Sequence, residues 1–291
     1  MKCFISSSCS AHGNVSDIVR ELAGLGFKNI ELTGNVRYCD NIEETILRLR
    51  ILYDVDMIVH NYLPFQPTDF VLNLASTDVN IMKKTLDLIK NAVGLSKKLG
   101  KDLYSIHPGF RHDLMPEQDD NFFIVASKKL NERASFYRAL AEIAVPLAQE
   151  HFRIAVENLS PKNAGELYSF LCTPEDIYVF LEYFKDTPNV GILLDMGHLN
   201  VAASLMSFDK YEVLDCLFQG YAHKVFALHI SENDGSRDFH RISEFDSWQI
   251  QFLHNHRERL ENTNVIFEWL NCATEETFRK FELIQRRLAV L

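Results

Sequence analysis

Strand-like apolar runs alternate with helical patterns from one end of this 291-residue chain to the other, and that alternation admits few folds. Strands are expected near 2–6, 28–32, 56–60, 102–107, 153–157, 190–195, 224–230 and 264–268. Helices are expected near 14–25, 42–53, 78–99, 122–151, 174–184, 208–221, 247–261 and 274–288. Parallel strands must be joined by crossovers, so repeated strand–helix units imply a parallel sheet covered by helices. Eight such units in a chain of this length suit an α/β fold of the (β/α)8 TIM-barrel type, a single domain over residues 1–291. An open doubly wound sheet is the alternative, but it would not need eight evenly spaced units.

Local signals agree with this reading. Leu86, Ile89, Val93 and Leu99 recur at helical spacing before Gly100 stops the helix. Thr173 precedes Pro174, a capping residue followed by proline at the first helical position. Asn14 caps a further helix that ends near Gly24 and Gly26. The runs VGILLD and KVFALHI are apolar without alternation, as expected of strands buried on both faces.

The same strands carry the chemistry. Six polar residues close six successive apolar runs: His60 in DMIVH, His107 in LYSIH, Glu157 in RIAVE, Asp195 in VGILLD, His229 in VFALH and Glu268 in VIFE. In a parallel barrel the C-terminal strand ends share one face, where barrel enzymes place their active sites. A single strand-end histidine is commonly a hydrogen-bonded core residue, but packing alone would not select ligand-type residues six times over. Three imidazoles and three carboxylates meeting at one mouth suit divalent transition metals. Asp195 and His198 are three apart in LLDMGH, so a turn after the strand is expected to bring both to one metal. Asp238 and His240 are two apart in DGSRDFH and would face the same way in an extended segment. HPGF at 107–110 predicts a tight turn that lets backbone approach a ligand, and Asn158 is expected to be a polar neighbour of metal or substrate. The remaining histidines, among them His12 and His112, are read as loop or helix-surface residues.

Composition narrows the classes further. Hydrophobic residues make up 47% and charged residues 24%, as in an ordinary globular protein. No run approaches the roughly 20 apolar residues of a membrane span, and the N-terminus lacks a secretory core. Six scattered cysteines without a C-x-x-C pair suggest reduced thiols in a cytoplasmic protein. The net charge of −10 argues against a free nucleic-acid surface, although three divalent ions would move it to about −4. Candidate phosphate-contacting cations, Arg37, Arg111, Lys162, Arg237 and Arg241, are scattered rather than clustered. The sequence holds no G-x-G-x-x-G, no Walker loop and no G-x-S-x-G, which leaves nucleotide-cofactor and serine-nucleophile chemistry without support.

The series HPG, VEN, LDMGH, HISENDG…DFH and FEW, spread over nearly the whole chain, resembles the xylose isomerase-like TIM barrels. That superfamily contains sugar (phosphate) isomerases and epimerases as well as endonuclease IV-type abasic-site nucleases (AP endonuclease family 2). Resemblance to the epimerase branch implies one metal, Zn, Mn or Co, on Glu157, Asp195, His229 and Glu268. Glu157 and Glu268 would then move a proton beside a carbonyl, and His198 would orient the sugar. Resemblance to the nuclease branch implies three zinc ions on His60, His107, Glu157, Asp195, His198, His229, Asp238, His240 and Glu268. One departure stands out: both branches often follow D-x-H with a glycine-rich stretch, where this chain reads HRISEFDSW. The sequence thus favours a metal-dependent sugar or sugar-phosphate isomerase or epimerase. The alternative is a trinuclear phosphodiesterase acting on abasic DNA or another phosphate ester. A phosphorylated small molecule handled by a multinuclear site would reconcile the acidic surface with the nine ligand types.

Overall fold

The computed structural model describes residues 1–64, 70–115, 130–162 and 168–289. Eight parallel strands form the sheet: β1 (Lys2–Ser6), β2 (Asn29–Leu32), β3 (Asp56–Val59), β4 (Leu103–Ile106), β5 (Arg153–Glu157), β6 (Val190–Asp195), β7 (Val225–Ile230) and β8 (Asn264–Phe267). Their order is β3-β2-β1-β8-β7-β6-β5-β4. The remaining seam between β3 and β4 is bridged just past the strand ends, where His60 pairs with Ser105 and Asn61 N–H donates to the Ser105 carbonyl at 2.8 Å. The result is a (β/α)8 TIM barrel, as expected from the repeat.

Around it run α1 (Val15–Leu25), α2 (Ile42–Tyr53), α3 (Val79–Lys98), α4 (Arg133–Ala148), α5 (Pro174–Tyr183), α6 (Met196–Met206), α7 (Lys210–Gly220), α8 (Trp248–Asn255) and α9 (Glu275–Ala289). The capping expectations hold. Asn14 accepts from Ser16 N–H, Thr173 accepts from Asp176 N–H, and Gly26 ends α1 in the left-handed region at φ 109°. Three details differ. Leu86 faces solvent; α3 instead buries Leu88, Ile89, Ala92, Val93 and Leu95. The helix expected over 122–151 is seen from Arg133, and 122–129 lie outside the described residues. Helix α6 is additional to the expected set, because MGHLNVAASLM is apolar on most sides and follows β6 without a loop, so no polar stripe marks it.

Strand alternation separates two cores. Outward-facing strand residues join the helices in the large core, while Phe4, Ile58, Leu103, Ala155, Leu193, Phe226, Ala227 and Ile266 form a second cluster that fills the barrel. Ile58, Ala155, Leu193, Ala227 and Ile266 each precede His60, Glu157, Asp195, His229 and Glu268 by two residues. Side chains repeat every two residues along a strand, so these five polar groups form the next layer up the same interior. An irregularity between β6 and β7 tunes that layer. Ile192 pairs with Val225 but Leu193 pairs with Ala227, so Asp195 comes opposite His229 instead of Leu228. Gly191 belongs to this device, because a Cβ there would collide with the Lys224 carbonyl and the Phe226 ring.

Lys224 closes the opposite end of the barrel. Only 2% exposed, its ammonium donates to the carbonyls of Phe184, Thr187 and Val190 at 2.8, 2.7 and 3.1 Å. Lys224→Met should strand three carbonyls and destabilise the fold by about 3 kcal/mol. Urea unfolding would read this directly, and a midpoint equal to that of the unchanged protein would refute it. Asp56 pairs with Lys2 and Lys101 nearby. Burial alone would raise its carboxyl, but hydrogen bonds and charge from Lys101 and Lys2 outweigh it and hold the group below the ordinary aspartate range. A depressed carboxyl contributes stability above its unfolded pKa and loses it as pH falls through the folded one. Asp56→Asn should therefore cost about 1 kcal/mol at neutral pH and almost nothing near pH 2, as thermal melts across pH would record.

Candidate metal centre

All nine ligand-type residues expected from the sequence converge on the mouth at the C-terminal strand ends. His60, His107 and Glu268 directly follow β3, β4 and β8; Glu157 and Asp195 end β5 and β6; His229 is the penultimate residue of β7. Their candidate ligand atoms fall into groups within 4.8 Å: His60, His107 and Glu157; Glu157, Asp195, His229 and Glu268; His198, Asp238 and His240. Glu157 belongs to two of them. Asp195 and His198 fall in neighbouring groups, with His198 Nδ1 3.6 Å from Asp195 Oδ2. The reason is local. Asp195 caps α6 by accepting from the His198 backbone N–H at 2.6 Å, and this first helical turn carries the His198 ring towards Asp238.

The second nitrogen of each of four rings is already held. His60 Nδ1 lies 3.0 Å from Ser105 Oγ, so its Nε2 faces Glu157 Oε2 at 3.2 Å. His198 Nδ1 lies 2.8 Å from the Asn158 carbonyl and its Nε2 lies 3.0 Å from Asp238. His240 Nδ1 lies 3.2 Å from the Glu268 carbonyl and its Nε2 lies 2.7 Å from Asp238. His229 is reversed: Nε2 lies 3.1 Å from Glu31, and Nδ1 lies 3.1 Å from Glu268. Such anchoring fixes both the orientation of a ring and the nitrogen it offers. His107 completes the set, with Nε2 at 3.4 Å from Glu157.

Two expected contacts serve the scaffold. Asn158 is 2% exposed; its side-chain carbonyl accepts from Asp195 N–H at 2.7 Å and its amide donates to the Asp195 carbonyl at 3.0 Å, so it ties β5 to β6. Gly109, at φ 103°, lets the HPGF turn press against Asn73 and Leu74, where a Cβ would lie 2.6 Å from Asn73 Oδ1. Arg111 and Arg133 both bind Asp176, which takes Arg111 out of the candidate phosphate contacts. Arg237 and Arg241 lie over the Phe239 ring at 4.3 and 4.1 Å from its centroid, on either side of Asp238 and His240 in the chain. The sulfurs of Cys9 and Cys272 lie 3.5 Å apart.

The residue missed by sequence reasoning is Glu31. It is fully buried in β2, among the site groups rather than at the end of an apolar run. A signal existed: a glutamate between Ile30 and Leu32 inside a buried strand has no place to go but the barrel interior.

These residues fit divalent cations. Glu31, Glu157, Asp195, Asp238 and Glu268 place five carboxylates in one poorly solvated mouth, a costly arrangement without compensating positive charge. Glu31 Oε2, Glu157 Oε2, Asp195 Oδ2, Asp238 Oδ1 and His229 Nδ1 are buried without hydrogen-bond partners, although imidazole and carboxylate atoms face one another at ion-pair distances. Three divalent ions would more than offset these five charges. Among the protein groups alone, burial opposes charge on His198 and His229, but Asp195 and Asp238 around the first and Glu268 and Glu31 around the second outweigh it and hold both well above the ordinary imidazole range. His240, likewise penalised by burial, is raised to about 9 by Glu268 and Asp238. Burial opposes ionisation of Glu268 too, yet His229 and His240 bring it to about 2. Burial wins at His107, whose pKa is lowered.

An α/β barrel with ligand-type residues crowded at its C-terminal mouth defines the architecture of a barrel enzyme. The family model of the xylose isomerase-like TIM barrel matches residues 19–269, and the chain belongs to that family. An uncharacterised protein of Methanocaldococcus jannaschii is 30% identical over 230 residues, 76% of this chain and 69% of that protein. Among solved structures, a D-tagatose 3-epimerase-like protein superposes with TM-score 0.68 at 23% identity, covering 99% of this chain and 97% of that one. D-allulose 3-epimerase of Methylomonas sp., in complex with D-allulose, gives TM-score 0.63 at 13% identity, covering 99% and 94%. Endonuclease IV of Thermus thermophilus gives TM-score 0.63 at 16% identity, covering 99% of each chain. Sugar epimerases and a nuclease thus share this fold, and the likeness at these identities is one of architecture.

Among the described residues no helix is long and apolar enough to cross a membrane.

Proposed function

We propose that the protein is a divalent-metal phosphoester hydrolase with a trinuclear centre, its substrate a phosphate ester small enough to approach an acidic surface. The observation carrying this reading is the division of nine residues into three ligand groups, two of which share Glu157. A mononuclear epimerase needs only Glu157, Asp195, His229 and Glu268. It would leave two additional ligand groups, His60 with His107 and His198 with Asp238 and His240, without a purpose. His198, read from sequence as an orienting group for a sugar, has both ring nitrogens beside protein partners, which suits a ligand better than a substrate contact.

Bound divalent ions would supply Lewis acidity to a phosphoryl oxygen and acidify an attacking water. The protein's own part is geometric. Ser105, the Asn158 carbonyl and the Glu268 carbonyl hold the rings of His60, His198 and His240, so little reorganisation is needed when a substrate arrives. The apolar layer beneath, from Ile58 to Ile266, closes the barrel below the site to water. Arg237 and Arg241 project from alternate positions to Asp238 and His240, Arg241 beside the exposed Asp234 at 3.8 Å, and offer two guanidinium groups to anionic oxygens. Converting both to alanine should raise KM for a phosphate ester about tenfold, roughly 1.4 kcal/mol, with bound metal unchanged. Equal KM values in steady-state assays would remove these arginines from recognition.

The deciding experiment pairs metal counting with two assays. Zinc-loaded protein is expected to carry three ions per chain and to hydrolyse bis-p-nitrophenyl phosphate, with an abasic-site duplex as a second phosphodiester. One ion per chain, together with C3 epimerisation of a ketose by the manganese form, would replace this reading with the epimerase one.

A further inference from the structure

We infer that Glu31 is a positioning residue that fixes which nitrogen of His229 faces the metal centre; the inference rests on the metal-centre reading above. Glu31 lies midway along β2, and its neighbours Ile30 and Leu32 belong to the outer core, so alternation sends Glu31 into the barrel. It is 0% exposed, as is His229. Glu31 Oε1 accepts from His229 Nε2 at 3.1 Å, while Glu31 Oε2 is buried without a hydrogen-bond partner.

The orientation of His229 gives this pair its meaning. His60, His198 and His240 are held through Nδ1 by the Ser105 hydroxyl and the Asn158 and Glu268 carbonyls, with Glu157 Oε1 at 3.3 Å from His198 Nδ1 and Glu268 Oε2 at 3.5 Å from His240 Nδ1, and they direct Nε2 at their groups. His229 instead directs Nδ1 inward and is held through Nε2 by a carboxylate. A neutral imidazole has one N–H, and the Glu31 carboxylate can only accept. Giving that proton to Glu31 leaves the Nδ1 lone pair facing Glu268 Oε2 at 3.1 Å, Glu157 Oε1 at 3.6 Å and Asp195 Oδ2 at 3.7 Å. Without a metal, a second proton on Nδ1 meets these carboxylates, and a divalent cation would take that proton's place. Glu31 thus selects the tautomer that a cation needs, and its negative charge makes the ring a stronger donor. The ring has no easy alternative, because it packs edge-on against His60 at 4.9 Å between centroids.

Glu31, His60 and His229 could also be read as a ligand group of their own. His60 opposes this, because its Nδ1 is engaged by Ser105 and its Nε2 faces Glu157.

The test uses full-length protein, stripped and reloaded with Co(II), in unchanged, Glu31→Gln and Glu31→Leu forms, each verified as folded by circular dichroism. Ions per chain, affinities by chelator competition and the Co(II) visible spectrum are measured. Glu31→Gln keeps an acceptor oxygen without the charge and should weaken one ion of the set about 10-fold, whereas Glu31→Leu should weaken the same ion about 100-fold and shift its absorption bands. Unchanged affinities in Glu31→Leu would overturn the inference, and so would an equal fall at every ion, which marks a merely structural residue. A fourth ion in the unchanged protein that vanishes in Glu31→Leu would make Glu31 a ligand instead. Failure of the unchanged protein to bind any divalent ion would overturn the metal-centre reading itself, a result distinct from all of these.

Discussion

Glu157→Gln should reduce bound metal from three ions per chain to one and lower phosphoester hydrolysis by roughly 1,000-fold or more, about 4 kcal/mol of transition-state stabilisation. The expectation follows from position. Glu157 ends β5 at the centre of the mouth, and its two oxygens face different neighbours: Oε2 lies 3.2 and 3.4 Å from His60 and His107, and Oε1 lies 3.3 Å from His198 Nδ1 and 3.6 Å from His229. Glutamine preserves shape but offers a single neutral oxygen, so the groups of His60 and of Asp195 both lose an anionic ligand. The His198, Asp238 and His240 group does not contain Glu157 and should keep its ion. Elemental analysis of the purified variant, beside its rate, provides the check. Three retained ions would refute Glu157 as the shared ligand even if activity fell.

Chelation of the metal should lower the melting temperature by on the order of 10 °C at neutral pH, because ligands that bind only the folded chain stabilise it by mass action. The size of the drop should depend on pH. Without ions, His240 titrates at about 9, and His198 and His229 also lie above the ordinary imidazole range. Groups raised in this way stabilise the metal-free protein below their unfolded pKa, and that contribution is lost as pH rises through the folded value. Metal binding has the opposite slope, since protons must leave before imidazole nitrogens can coordinate. The difference in melting temperature between loaded and stripped protein should therefore widen from pH 6 to pH 9. Calorimetric titration in two buffers of different ionisation enthalpy should count protons released per ion. A gap that narrows with pH, or no proton release, would contradict the assignment of these histidines as ligands.

The distance between sequence and structure is instructive at particular residues. His60, Glu157, Asp195, His229 and Glu268 are recognisable because each interrupts an apolar run, and a two-residue strand period turns that interruption into a position on the barrel wall. His198, Asp238 and His240 can be named from spacing but not grouped, since the partner of His198 is 40 residues away. Spacing makes Asp195 a ligand companion of His198; the start of α6 keeps the two side chains 3.6 Å apart but turns His198 Nε2 to Asp238 in a neighbouring group. Helix α6 itself leaves no periodic trace, because an element buried on most sides shows no contrast between faces.

Glu31 marks the boundary most clearly. Its burial in β2 is implied by its apolar neighbours, yet its partner His229 is 198 residues distant. By itself the sequence determined the barrel and the face that carries its chemistry, because hydrophobic periodicity and strand-end residue types are local properties of the chain. The tertiary structure alone decided how the ligand-type residues divide into groups, which nitrogen each histidine turns towards its group and which buried carboxylate stands behind His229. Those depend on strand register, including the shift at Ile192 and Leu193, and on contacts across the barrel that local spacing does not encode.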